Sequence, residues 1–367
     1  GVQVIEVREG KAVVTPRDTG TIVLRAELRI ASPPVSDSAV LHGYVPHLIG
    51  FAGPCGVAAD RAVYCIENGG LTLRGGEPSS HPFSEVAEVL PGNAACILDP
   101  EGRLYCAGVF IAGVFYDAVQ PAYRFSQFSP ILFGPTWCGL TGDSVVCWGD
   151  ARNGGLGAPG NETCESPGGP AFTYPCARTP VRVQVTEPVS RLRAPCVVTV
   201  SGILYCWGPG YGQTPVRQHP GWVWRDVVPG WERTGCGLAA DSTAWCWGTH
   251  IYGLGDGTTT TSAVPVRVGT GRYVAITGAY AKCGLTDAGG VECWGGSAAP
   301  FNHTVPTPLN TALRFVSISV DFGRGCGVSL EGAPYCWGTG DLGFSGDTAS
   351  AVPVPVLGRW ETRLPTP

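Results

Sequence analysis

The chain has 367 residues, with 54 glycines, 32 prolines, 16 cysteines, no methionine and a formal net charge of −5. Hydrophobic residues make up 44% and charged residues only 14%, which excludes a solvated coil despite the glycine and proline content. The 22 arginines and two lysines form no basic stripe or tail, so a nucleic-acid partner lacks its electrostatic basis.

No run of 18 apolar residues occurs, so no membrane span is expected. Glu6, Arg8, Glu9 and Lys11 interrupt the N-terminus too early for a signal peptide. A chain that starts without methionine is expected to begin after processing or to be a piece of something longer.

The first 31 residues are strand-prone, over 2–7, 11–15 and 21–30. In the last of these Ile22, Leu24, Ala26, Leu28 and Ile30 alternate with Val23, Arg25, Glu27 and Arg29. A strand of that length reaches roughly 33 Å and needs a sheet to cover its apolar face. Left unpaired it is an association hazard. It can add to a neighbouring molecule's sheet, fold back as a small hairpin, or be the end of an upstream domain. Residues 1–35 are expected to be an N-terminal β arm and linker, with Ser32-Pro33-Pro34 as the linker and Ile22, Leu24, Leu28 and Ile30 as assembly residues.

From residue 36 the cysteines set the organisation. Seven pairs recur: Cys55/Cys65, Cys96/Cys106, Cys138/Cys147, Cys196/Cys206, Cys236/Cys246, Cys283/Cys293 and Cys326/Cys336. Their first members follow one another after 41, 42, 58, 40, 47 and 43 residues. The long step carries Cys164 and Cys176 in an insertion over 158–178. Such a period is an internal repeat.

Each repeat reads Cys-Gly-Leu, a few turn residues, an apolar pair, then Cys-Trp-Gly, as in Cys236-Gly237-Leu238 and Trp245-Cys246-Trp247-Gly248. The Trp-Gly is missing at Ile66-Glu67 and Ala107-Gly108. Segments such as Thr286-Asp287-Ala288-Gly289-Gly290 mark a hairpin turn between the two cysteines. Facing residues across that hairpin lie about 5.5 Å apart, within disulfide range. Closing so short a loop stabilises by roughly 3 kcal/mol. No Cys-x-x-Cys occurs, which argues against zinc. Structural disulfides place the chain in an oxidising setting, extracellular or at a cell surface.

Four short strands per repeat are expected, in repeat six over 272–277, 282–286, 290–295 and 305–309. The last strand is proline-marked, at Pro180, Pro215, Pro265, Pro306 and Pro353. Proline cannot donate to a ladder, so this strand belongs on an exposed edge. Seven such units form an all-β, seven-bladed β-propeller over 36–367, preceded by the extended β arm.

The Cys-Gly-Leu and Trp-Gly repeats, with Tyr252-Gly253-Leu254-Gly255-Asp256-Gly257-Thr258, resemble repeats of the regulator of chromosome condensation type. The paired cysteines are more similar to the Crinkly4-type extracellular repeats of plant receptor-like kinases. A secreted bacterial β-lactamase inhibitor propeller is also similar, without the cysteines. The resemblance covers about residues 36–360 and implies the propeller fold; the fold hosts unrelated activities. Disulfides and acidic charge set the chain apart from the nuclear members.

Nothing points to an enzyme, a cofactor or a metal. The six histidines do not recur in the repeat, and no nucleophile or phosphate-loop motif is present. Asp143, Asp241 and Asp287 fall at hairpin turns, where aspartate is favoured for backbone reasons. Asp256, Asp341 and Asp347 match no calcium loop. Trp148, Trp207, Trp247, Trp294 and Trp337 share one repeat position and are expected to pack blade against blade. Trp137, Trp222, Trp224 and Trp231 do not follow the repeat, and the last three, within ten residues of one another, are candidate ligand contacts. Asn161-Glu162-Thr163 and Asn302-His303-Thr304 are glycosylation sequons at Asn161 and Asn302.

Two functions remain open at this point. One is a non-enzymatic extracellular structural or adhesive subunit that self-assembles through the arm. The other is a monomeric binding module, a receptor ectodomain, lectin or inhibitor, whose partner is another extracellular protein or a glycan.

Overall fold

A computed structural model describes the strands between residues 3 and 116 by backbone, apart from residues 102–104, and residues 123–356, with short gaps, in full. The described residues form antiparallel sheets and no α-helix. Seven sheets, each from one repeat, are the blades. The first is Leu48–Ala52, Cys55–Ala58, Val63–Glu67 and Gly70–Gly75, and the second Glu85–Leu90, Ala94–Leu98 and Leu104–Ala107. Blade three holds five strands, and blades four to seven hold four each. The first strands of successive blades touch in turn, and Phe315–Val320 of blade seven meets Leu48–Ala52 of blade one. The ring is closed, with first strands innermost.

Blade six shows how the local sequence builds a blade. Ala275–Thr277, Lys282–Leu285, Val291–Trp294 and Thr307–Pro308 pair in sequence order, with Cys283 opposite Cys293. Six disulfides are described. Five lie within hairpins: Cys138–Cys147, Cys196–Cys206, Cys236–Cys246, Cys283–Cys293 and Cys326–Cys336. The sixth, Cys164–Cys176, belongs to the insertion. The hairpin Cα atoms are 4.0–4.1 Å apart, closer than the expected 5.5 Å. That spacing fits the narrow, non-hydrogen-bonded rung of an antiparallel pair. Cys55 and Cys96 stand opposite Cys65 and Cys106 in backbone register, and their sulfurs lie outside the description.

Cys147 and Cys336 are 0% exposed and are core residues as well as cross-links. Cys147 lies in an apolar cluster with Leu156 and Trp207, and Cys336 in one with Leu342 and Val356. The physical reason is that the third strand is covered on both faces by its neighbours, so that residues 145–150 are buried throughout. The pairing with the outer strand also shifts just beyond these residues, between Cys147 and Gly149 and between Cys336 and Gly338, so the fourth strand is not the regular continuation that the repeat suggests. Cys206 and Cys246 show the same shift.

The proline-bearing strands are outermost in blades four to seven. In blade three the insertion adds Glu162–Ser166 outside Gly169–Arg182.

The core lies between blades, each apolar cluster drawing largely on two neighbours. Trp207 of blade four donates from Nε1 to the Gly155 carbonyl of blade three, 2.9 Å away. Trp294 presses against Gly255 of blade five, where φ is +92° and a Cβ would fall 2.9 Å from the indole. Trp207 and Trp294, two of the five recurrent tryptophans, therefore sit on the Gly-Leu-Gly loop of the preceding blade. All five are buried.

A second regularity concerns the innermost strands. Phe125, Trp224, Tyr273 and Phe315 stand at their start, each buried, and their N–H groups bond to the hairpin turn of the preceding blade at Gly102, Gly202, Ser242 and Gly289. Each ring covers the glycine of its own Cys-Gly: Gly139, Gly237, Gly284 and Gly327. In blade four Val189 replaces the ring and Val197 replaces the glycine, both buried, so the volume is exchanged across the strand pair.

In the N-terminal arm Gln3–Arg8 pairs with Lys11–Thr15, and Gly20–Leu28 with Val35–Gly43. Ile22 faces Leu41, Leu24 faces Ala39 and Leu28 faces Val35 in that register, whereas Ile30 lies outside the described residues. The second pairing spans the expected linker at 32–34.

Candidate functional site

The off-repeat tryptophans are not one exposed patch, and Trp137 is 2% exposed. Trp224 is 2% exposed and is the blade-five counterpart of Phe125, Tyr273 and Phe315, so it belongs to the repeat after all. Its burial beneath Trp222 removes it as a ligand contact. Trp231 lies outside the described residues. Trp222 is half-buried, stacked on Trp224 at 5.2 Å and 10°, and it meets Trp245 edge-on at 4.5 Å.

These rings belong to an aromatic wedge between blades four and five. His219, in the link that joins the two blades, adopts φ 45° and places its ring 4.5 Å from Trp247. Burial pushes its pKa down, and its Nε2 is buried without a partner among the described residues. Tyr211 packs against the same cluster; burial raises its pKa to about 12, and Arg233 stands 6.0 Å from its ring centre. No sequence signal marked His219 or Trp245, because their meeting depends on the fold of the link.

The adjoining crevice, between blades five and six, is lined by Trp247, Leu254, Lys282 and Trp294 and has ≈ 10 Å³ of free space. That is about one water molecule, too small for an organic ligand. Lys282 is 3% exposed and donates from Nζ to the Tyr280 carbonyl at 3.1 Å. Burial lowers its pKa to about 7.

Toward the ring centre, Asp226 of blade five receives Arg193 of blade four at 3.3 Å, with Arg191 at 3.6 Å. Asp226 also accepts from the Val227 N–H, so its oxygens are engaged. Asp241 accepts from Thr243 through backbone and hydroxyl, which holds its carboxyl below the usual range. Asp256 caps Thr258 and Asp341 accepts from the Gly343 N–H, both turn roles. Asp347 lies outside the described residues. Among the described residues no three acidic, histidine or cysteine side chains converge as a metal site.

Exposed apolar side chains occur at both ends of the ring and along its outer strands, with Ile251 (73%) in the loop after the third strand of blade five and Val264 (66%) on that blade's outermost strand. Val200 is 72% exposed and Leu330 65%, both at hairpin tips between second and third strands. Val223 and Val274, in the links entering blades five and six, are exposed at the same end. Asn161 and Asn302 are exposed in loops after the third strand of blades three and six, at the opposite end.

These features define a disulfide-stapled β-propeller whose interblade faces are filled. No protein-family model matches the chain. Solved structures share the fold. The chain is similar to human WBSCR16, with 16% identity and a TM-score of 0.62 over 81% of this chain and 84% of that one. It is similar to a chain in the complex of Kap60 with yeast RCC1 (Prp20), with 16% identity, a TM-score of 0.59 and 75% of each chain covered. The entire ectodomain of the Physcomitrella patens receptor kinase CR4 matches with 19% identity and a TM-score of 0.50, over 79% of this chain and 72% of that one. At these identities the likeness is one of fold. Among the described residues no helix is long and apolar enough to cross a membrane.

Proposed function

We propose that the chain is a non-enzymatic extracellular binding subunit whose partner, a protein or a glycan, engages the hairpin-tip end of the ring. The observation that carries this reading is the placement of exposed aliphatic side chains. Val200, Val223, Val274 and Leu330 stand at one end of blades four to seven, while the faces between those blades are packed. Four of the exposed apolar side chains share this end, and apolar side chains presented together on a rigid scaffold are a feature of interaction surfaces. The disulfides support an oxidising setting, and a receptor-kinase ectodomain with the same fold is in keeping with it. The test is cross-linking to the extracellular fraction of the source cells, wild type beside a Val200→Asp/Leu330→Asp variant of equal melting temperature. The wild type should recover a partner that the variant misses; identical sets would refute this assignment.

A structural or adhesive subunit assembled through the arm is the second reading. The strands Gly20–Leu28 and Val35–Gly43 form a two-stranded sheet, so each keeps one edge without a neighbour among the described strands. Ile22, Leu24, Leu28 and Ile30 supply the apolar positions of the adding strand. Light scattering on the intact chain and on one lacking residues 1–31 decides it. Monomers in both cases at high concentration end this reading.

A further inference from the structure

The outermost strands of blades four to seven are closed to strand addition by their own chemistry. Pro215, Pro265, Pro306 and Pro353 occupy the same place, one residue before the rung opposite the second cysteine, and offer no N–H. In blades five and seven the preceding N–H groups, of Val264 and Val352, are taken by the hydroxyls of Ser262 and Ser350. The same hydroxyls donate to the carbonyls of Val264 and Val352. These edges resist pairing with another chain.

Blade three lacks this protection. Its outermost strand, Glu162–Ser166, has no proline and pairs on one side only, with Gly169–Arg182. Thr163 stands opposite Pro175, whose carbonyl is turned the other way and accepts from the Ala151 N–H. In an antiparallel ladder the N–H and C=O of one residue point to the same side, and a rung whose partner faces away is a non-hydrogen-bonded one. The main-chain groups of Thr163, and two residues on those of Glu165, therefore face outward. Cys164–Cys176 and the Arg178–Glu162 ion pair at 2.9 Å hold the strand in this position, so the open edge is rigid.

Asn161 immediately precedes this strand, and Asn161 and Thr163, the two required residues of the sequon, are both exposed. We propose that Asn161 carries an N-linked glycan that covers the open edge of blade three and keeps it from pairing with another chain. The glycan does for this edge what proline and serine do for its neighbours. In the modification, Asn161 Nδ2 bonds to the anomeric carbon of an oligosaccharide donated from a lipid diphosphate. The carbon–oxygen bond to that diphosphate breaks, the diphosphate leaves with the electron pair, and Nδ2 gives up a proton. The donor belongs to the eukaryotic secretory route, so the inference rests on the extracellular reading above.

The full chain is produced in a glycosylating eukaryotic secretory host and its mass compared before and after peptide-N-glycosidase. Loss of a glycan with conversion of Asn161 to aspartate is expected, and an unmodified Asn161 overturns the proposal. Sedimentation then compares wild type, Asn161→Gln and Asn302→Gln. Asn161→Gln should associate at least about tenfold more tightly than wild type, and Asn302→Gln should match wild type. Glu165→Pro in the Asn161→Gln background should reverse the gain; a gain that persists, or none at all, overturns the edge-covering role. If Asn161→Gln is not secreted, enzymatic deglycosylation of the folded Asn302→Gln protein gives the same readout. Failure of the extracellular reading shows separately, as reduced cysteines in protein purified from its native source.

Discussion

The ring of Tyr273 lies so close over Gly284 that a Cβ on the glycine would stand 2.4 Å from Cδ1. The Cys-Gly of the repeat is therefore a steric requirement set by an aromatic residue on the neighbouring strand. Gly284→Val should destabilise the protein by about 2–3 kcal/mol through overpacking. Adding Tyr273→Val, the combination that blade four uses at Val189 and Val197, should recover a substantial part of it. A double-mutant cycle from urea unfolding with disulfides intact measures the coupling; additive losses would contradict the exchange of volume.

Trp207 and Trp294 share a repeat position and differ in one bond. The Trp207 indole donates to Gly155, while the Nε1 of Trp294 is buried without a partner among the described residues. Trp207→Phe should cost about 1 kcal/mol more than Trp294→Phe, the net value of a buried hydrogen bond. Equal losses in chemical denaturation would show that the bond contributes nothing net.

Lys282 predicts a pH dependence with a definite sign. Its folded pKa is lowered to about 7 from 10.5. Below the folded value the amine is charged in both states, and the burial penalty is fully present. Between the two values the unfolded chain binds more protons, so stability rises with pH, by about 1.4 kcal/mol per unit. Above 10.5 the penalty is gone. Lys282→Met should be more stable than wild type at pH 6 and lack the rise between pH 7 and 9. Urea midpoints across that range check it, and parallel profiles for the two proteins would refute it.

The hairpin disulfides make a covalent prediction. Non-reducing peptide mapping should recover Cys55–Cys65 and Cys96–Cys106 alongside the six described bonds, and a link between repeats would break the pattern. Replacing Cys196 and Cys206 together by serine should cost roughly 3 kcal/mol, measured by denaturant unfolding.

Much of the blade was legible because its defining contacts are local. Cys283 and Cys293 are ten residues apart across one turn, so spacing alone places them opposite each other. In blades four to seven the proline of the last strand marks an edge for a backbone reason that needs no tertiary knowledge. Trp224 was misread for the opposite reason. Phe125, Trp224, Tyr273 and Phe315 precede their first cysteine by 13, 12, 10 and 11 residues, because the loop between first and second strands varies. Their equivalence lies in the glycine each one covers, a relation across two strands that no fixed spacing records.

By itself the sequence determined the repeat, the hairpins, the cysteine partners and the outer edges, since hydrogen bonds and cross-links within about ten residues leave a periodic trace. The tertiary structure alone decided that Cys147 and Cys336 are core, that Trp224 is core beneath Trp222, that Lys282 is buried between blades five and six, and that Glu162–Ser166 is the open edge of blade three. Those properties arise where one repeat meets the next or a loop or insertion folds onto its blade. Burial there is set by which surfaces come together in space, and neighbouring positions in the chain carry no record of that.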